Sequence, residues 1–146
     1  MDEVRMRALG SEIMRLTRRR ITTYPGSVLD DSAFRILRVL VEEGPRTLSV
    51  LADDLRLERS TISRQVAAAV GHGLVERCVE AGGTQRVVRP TEAGRAGYVH
   101  DGRLRGEVWA EAVESLGEER GDELVAALRE LNDALDRAHA TVRTSD

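Results

Sequence analysis

Apolar residues recur along this chain in a helical rhythm first and an alternating one later. From Asp2 to about Thr22, Met6, Leu9, Ile13 and Leu16 are spaced by three or four residues, the repeat of a helix with one apolar stripe. "TTYPGS" interrupts it with Pro25 and Gly26. Asp30 or Asp31 then caps a second helix that carries Phe34, Leu37 and Val41 and ends at Gly44-Pro45. Thr47 or Ser49 starts a short third helix with Leu48, Leu51, Ala52 and Leu55 inward. The turn "RLER" leads to a fourth helix, from about Ser60 to Gly71. On it Ile62, Val66, Ala69 and Val70 form a core face, which leaves Thr61, Arg64, Gln65 and Ala68 on the opposite one. Glu58 is a poor N-cap, so Ser60 is the alternative start.

After Gly71 and Gly73 the period drops to two. "LVERCV" and "QRVVRP", joined by "AGGT", predict two short strands and a Gly-rich turn, a β-hairpin closed by Pro90. Thr91 is a good N-cap, and Glu92 suits the first-turn dipole, for a fifth helix reaching about Leu116. Gly94, Gly97, Gly102 and Gly106 weaken that helix by roughly 1 kcal/mol each relative to Ala. "LGEERG" breaks it. A last helix follows from about Glu119 to Val142, with Leu124, Leu128, Leu131, Leu135, Ala138 and Val142 along one stripe. No internal repeat or low-complexity block appears.

Helix, turn, helix and hairpin make a winged helix-turn-helix, an arrangement that reads DNA. The expected fold is mainly α with a small β-hairpin wing. Residues 1–28 are an N-terminal dimerisation helix and linker, 29–92 the winged helix-turn-helix, and 93–146 a linker helix and a C-terminal dimerisation helix. The terminal stripes, Met6, Leu9 and Ile13 with Leu124, Leu128, Leu131 and Leu135, are more economically a dimer interface than a self-packed face.

Composition narrows the function classes. A chain of 146 residues, 41% hydrophobic and 32% charged, suits one folded domain with helical extensions. No apolar run nears the ~20 residues of a membrane span, and "MDEVRMRALG" lacks a signal-peptide core. The single cysteine, Cys78, excludes an internal disulfide and fits a reducing cytoplasm. Every basic residue is arginine, as a GC-rich genome favours. The net charge of -3 is unevenly spread: residues 46–100 hold 8 arginines against 6 acids, and residues 101–146 hold 6 against 12. A polyanion would therefore meet the middle of the chain.

That middle contains "ERSTISRQV". Arg64 can pair bidentately with a guanine edge and Gln65 with an adenine edge. Ser60, Thr61 and Ser63 are short enough to let the helix approach closely and can bind phosphates or base edges. Arg59, Arg46, Ser49 and Arg86 are candidate phosphate contacts. His72, His100 and His139 are too dispersed for a metal site, so no metal or other cofactor is expected. "ERCVE" offers no thiolate-stabilising cluster, which makes Cys78 structural. No nucleophile elbow, phosphate loop or carboxylate pair points to an enzyme.

The stretch "LSVLADDLRLERSTISRQVAAAVGHGLVERCVEAGGTQRVVRPTEAG" resembles the core of the MarR family, the multiple antibiotic resistance regulators. The matching residues are Leu51, Ala52, Leu55, Ser60, Thr61, Ile62, Ser63, Arg64, Gly73, Leu74, Val75, Arg77, Thr91 and Gly94. The resemblance implies a regulator that dimerises through its terminal helices and binds double-stranded DNA. It also implies an effector pocket between the dimer helices and the winged domain. Arg15, Arg19, Tyr24 and Phe34 fall in that region, for a small anionic or aromatic molecule. Two places depart from the pattern. The family's wing Asp-x-Arg falls on Gly82 and Thr84, leaving Arg86, two residues on, as a substitute on the same strand face. Pro90 stands where the family has Leu.

The expected function is sequence-specific DNA binding as a ligand-responsive repressor, with two-fold symmetry placing the reading helices roughly 34 Å apart on a palindrome. The alternative is a winged-helix protein-interaction module with no specific DNA site, using the acidic C-terminal third.

Overall fold

A computed structural model describes residues 2–18 and 24–143. Arg19, and the side chain of Val142, lie outside what is described. The elements are α1 (Glu3–Arg18), α2 (Asp31–Glu42), α3 (Leu48–Leu55), α4 (Arg59–Gly71), β1 (Val75–Val79), β2 (Arg86–Pro90), α5 (Glu92–Glu114) and α6 (Glu118–Arg143). The two strands pair antiparallel, with Val75 opposite Pro90 and Val79 opposite Arg86. The mainly helical winged fold expected from the sequence is present.

Contacts divide the chain within α5, between Leu104 and Arg105. In the first unit α2 is the pillar. It buries Ala33, Phe34, Ile36, Leu37, Val39 and Leu40, around which pack Leu51 and Ala52 of α3, Ile62, Val66 and Ala69 of α4, and Val75 and Val88 of the hairpin. Each fully buried aliphatic side chain contributes roughly 1.5–3 kcal/mol. Of the two candidate caps, Asp30 is the one used: its side chain accepts from the Ala33 N–H at 2.8 Å and from the Ser32 hydroxyl at 2.7 Å. These bonds hold its carboxyl below the usual range. Thr47 caps α3, accepting from the Val50 N–H at 3.2 Å.

The hairpin is held along β2 and at its base. Arg46 pairs with Val88 as a short third strand, through N–H···O bonds of 3.2 and 2.7 Å. At the base, the Thr91 hydroxyl caps α5 by accepting from Gly94 N–H at 3.0 Å and donates to the Gly73 carbonyl at 2.6 Å. Gly94 is there for space: a Cβ on it would stand 1.9 Å from the Leu74 carbonyl oxygen. Composition alone does not account for this glycine, because no other residue lets α5 meet β1's approach so closely.

Two further ties fix α5 to α2 and to the segment before it. Asp101 is fully buried, and its two carboxylate oxygens accept from the N–H groups of Val28 (3.0 Å) and Leu29 (2.9 Å), which offsets the cost of enclosing a charge. Tyr98 lies 5.2 Å from the Phe34 ring and donates its hydroxyl to Glu42. Burial, then that bond, pushes the Tyr98 phenol up to about 12.

The second unit is a helical hairpin of the last turns of α5 and α6. Gly117 turns the chain with φ +85°, and Gly121 is buried where a Cβ would come 2.9 Å from Val113. On α6 Leu124, Leu128 and Leu135 are exposed and Leu131 is half-buried. In the first unit α1 buries nothing, and Met6, Leu9 and Ile13 are exposed.

One element boundary differs from expectation. α4 begins at Arg59, with Glu58 rather than Ser60 in the N-cap position, and the Glu58 side chain makes no capping bond. Ser60 is already helical, because the backbone of Glu58 is extended and its carbonyl accepts the first helical bond, from Ile62 N–H at 3.0 Å.

Candidate nucleic-acid interface

α4 is anchored by Ile62, Val66 and Ala69, all buried. Its exposed stripe is Ser60, Arg64, Ala67, Ala68 and Gly71, small residues around one long cation. Arg64 therefore stands out from a surface that nothing bulky screens. Thr61 and Ser63 are half-buried at the margins of the stripe.

Gln65 departs from the sequence reading. It is half-buried, and its Oε1 is enclosed with no hydrogen-bond partner. A bidentate adenine pair needs both ends of the amide free, so Gln65 as placed here is no direct reader. The helical wheel put it opposite the core stripe, whereas the folded chain half-covers it.

At its first turn α4 meets a cleft of about 360 Å³, lined by Thr47, Leu48, Ser49, Arg59, Arg77, Arg86, Val87 and Val88. Three elements converge there: the start of α3, the start of α4 and the hairpin. Arg77 and Arg86 share the strand face of Val75, Val88 and Pro90 by alternation; Arg77 is level with Val88, and Arg86 lies two pairs further toward the turn. Arg77 was not singled out from the sequence. Its signal was available in the strand period, which sets it opposite Val88 and diagonal to Arg86.

The arginines divide by their partners. Arg5, Arg7, Arg15, Arg35, Arg38, Arg46 and Arg89 each pair with an acid. Among the described residues, Arg59, Arg64, Arg77 and Arg86 pair with none, although all four are exposed. Within the hairpin the contrast is local: Arg89, on the other strand face, donates to Glu76 at 2.6 Å, and this contact raises its pKa.

Arg46 does not join the free group. It bonds the Glu43 carbonyl at 2.8 Å and the carboxylates of Glu43 and Asp54 at 3.1 and 3.4 Å. Its role is to hold the α2–α3 turn, and the candidate phosphate contact there is withdrawn. Gly82 and Thr84 are exposed in the turn between the strands.

Of the residues suggested for an effector, three lie among those described. Phe34 is a core residue, Tyr24 is half-buried, and Arg15 is exposed on α1 beside Glu12 at 3.5 Å. Among the described residues no group of His, Cys, Asp and Glu could hold a metal ion, and no helix is long and apolar enough to cross a membrane.

A three-helix core with a hairpin packed on its edge, and a helix whose outer face is small, polar and cationic, define a winged helix-turn-helix of the DNA-reading class. The sequence model of the MarR family matches residues 29–86, from the residues before α2 to the start of β2, and the fold is one shared with solved MarR-family proteins.

Solved structures agree. A MarR family protein from Bacillus stearothermophilus is 25% identical, with 92% of each chain covered and a TM-score of 0.71. RV1404 from Mycobacterium tuberculosis is 27% identical over 73% of this chain and 74% of its own, with a TM-score of 0.61. BpsR of Bordetella bronchiseptica, whose DNA binding is regulated by 6-hydroxynicotinic acid, shares the fold at 17% identity, 86% and 98% coverage and a TM-score of 0.66. A comparison with curated proteins found no match.

Proposed function

We propose that this protein is a sequence-specific DNA-binding regulator of transcription that acts as a homodimer on a palindromic operator in the cytoplasm. The observation that carries this reading is the outer face of α4. Arg64 is exposed, has no acid partner among the described residues, and stands in an exposed stripe whose other members, Ser60, Ala67, Ala68 and Gly71, are all small. A helix so built can enter a major groove and set a guanidinium fork against guanine O6 and N7. Ser60 and Ser63, with the uncapped first-turn amides of α4, are phosphate or base-edge donors beside it.

Dimerisation through α1 and α6 accounts for their exposed apolar residues. Met6, Leu9 and Ile13 on one, and Leu124, Leu128 and Leu135 on the other, are exposed at helical spacing, and such faces are costly to leave in water. Response to a small effector, with release of DNA, is the further part of the proposal. It is supported by the fold shared with a protein whose DNA binding a small acid regulates. Such an effector acts only through unequal affinity for the DNA-competent and incompetent states.

Selection of bound duplexes from a random pool tests the reading. The expected result is a palindrome with half-sites about one helical turn apart, bound with steep salt dependence and lost in Arg64→Ala. Recovery of no preferred sequence by a folded dimer would instead favour a protein-interaction module.

A further inference from the structure

We infer that the cleft between α2 and the end of α3 is a binding site for a small monocarboxylate with an aliphatic body. It shares no residue with the cleft at the start of α4, nor with the residues suggested above for an effector. The inference stands or falls independently of the DNA-binding reading.

α3 closes on a strained residue. Leu57 N–H donates to the Ala52 carbonyl at 2.9 Å, and Arg56 N–H to the Asp53 carbonyl at 3.1 Å, the pair of bonds that ends a helix on a left-handed residue. Glycine is the usual occupant, because a Cβ is crowded there. Here it is Arg56, with φ +52°, and among the described residues it is the one non-glycine with positive φ. A long cation held at a steric cost is explained when its side chain is used. That side chain is exposed, pairs with no acid among the described residues, and lines a cleft of about 330 Å³.

The other cations come from α2. Arg35 and Arg38 also line the cleft, and they reach Asp31 and Glu42 at 3.6 and 3.8 Å, too far for hydrogen bonds. Glu42 already accepts from Tyr98. Two carboxylates are in the lining, Glu43 and Asp54, and both are drawn to Arg46 at 3.1 and 3.4 Å. Three guanidinium groups thus face the cleft while its two acids are engaged elsewhere, which selects an anion. A carboxylate accepts two parallel N–H bonds from one guanidinium, and Arg56, without an acid of its own, is the fork assigned to it.

The charges surround an apolar patch. Val39 is buried and Leu55 half-buried, and both line the cleft. This floor is aliphatic and no aromatic ring lines the site, so the body that covers it best is an acyl chain. A lone phosphate or sulfate would leave the patch wet. The volume falls at the lower end of small-molecule sites, roughly 300–1,000 Å³. It equals the share of about eleven waters, room for a ligand of about ten non-hydrogen atoms.

The test uses the full-length protein and sodium octanoate, titrated to about 10 mM at constant ionic strength and followed by NMR of methyl groups and arginine Nε–H groups. Saturable shifts are expected at Val39, Leu55 and Arg56, with a Kd on the order of 0.1–1 mM. Arg56→Gly should weaken binding about tenfold yet melt no lower than the wild type, since glycine suits the left-handed backbone. A variant that folds as well and binds worse excludes misfolding as the cause. Arg38→Gln should weaken binding severalfold. Octylamine, with the same body and the opposite charge, should shift none of these groups. The inference is overturned by an absence of saturable shifts, by unchanged affinity in Arg56→Gly, or by acetate binding as tightly as octanoate, which would show the aliphatic floor to be idle. A hexaglutamate peptide that displaced octanoate at lower concentration would assign the cleft to an acidic segment of a partner protein and overturn the small-acid assignment.

Discussion

α2 and α4 are nearly equal in length, 12 and 13 residues, and are built for opposite purposes. α2 buries six side chains, has a side-chain cap in Asp30, and pairs both of its arginines, Arg35 with Asp31 and Arg38 with Glu42. α4 buries three, has no side-chain cap, and leaves Arg59 and Arg64 without acids. In α2 the cap and both arginines find partners inside the protein. In α4 the donors that internal partners would have taken are left facing out. The lesson is that a binding helix shows itself by what it leaves unsatisfied, since a free guanidinium or an uncapped amide is favourable to the molecule only when something else completes it.

The largest test of this contrast is in the cores. Leu37→Ala on α2 should cost about 2–5 kcal/mol, measured by urea or thermal unfolding. If Leu37→Ala cost under 1 kcal/mol, α2 would not be the pillar described. Next comes Arg64→Ala on α4, which should lose roughly 1–3 kcal/mol of discrimination for the selected site while unfolding stays within about 0.5 kcal/mol. A comparable fall in stability would mean that Arg64 serves the fold.

The caps give smaller effects of opposite sign. Asp30→Ala should destabilise by about 1 kcal/mol. Its pH dependence follows from the lowered folded pKa. The stabilisation is complete above the unfolded value, near 3.8, and disappears as pH falls through the lower folded value. The gap in melting temperature between wild type and Asp30→Asn should thus be widest at neutral pH and close on acidification; a gap that widened in acid would refute the cap. Glu58→Asp installs at α4 the cap it lacks at constant charge. It should add a few tenths to 1 kcal/mol and weaken DNA binding modestly by occupying first-turn amides. Tighter binding in that variant would show that those amides play no part.

What could be read from the sequence was mostly local. The stripes of α1, α2, α4 and α6, the caps at Asp30, Thr47 and Thr91, and the two strands of the wing each depend on residues within a turn or two of one another. Features that depend on distant segments were not legible. Asp101 reads as one more charge on a solvated helix until Val28 and Leu29 are seen donating to it across more than seventy residues. Arg46 looked like a phosphate contact until Glu43 and Asp54 were found around it. Gln65 and Arg77 exchanged standing for the same reason. Periodicity assigns a side chain to a face of its own element, but a neighbouring element decides whether that face is open.

By itself, then, the order of residues determined which segments become helix or strand, which edge of each is apolar, and that a small polar face with one arginine would stand at the start of α4. Backbone propensity and hydrophobic spacing act over a few residues and need no partner. Only the tertiary structure decided which arginines are free and which are bound, where Gly94 had to be a glycine, and that Arg77 and Arg86 of the wing meet Arg59 at one cleft. Those are questions of distance between parts of the chain that the covalent order leaves far apart.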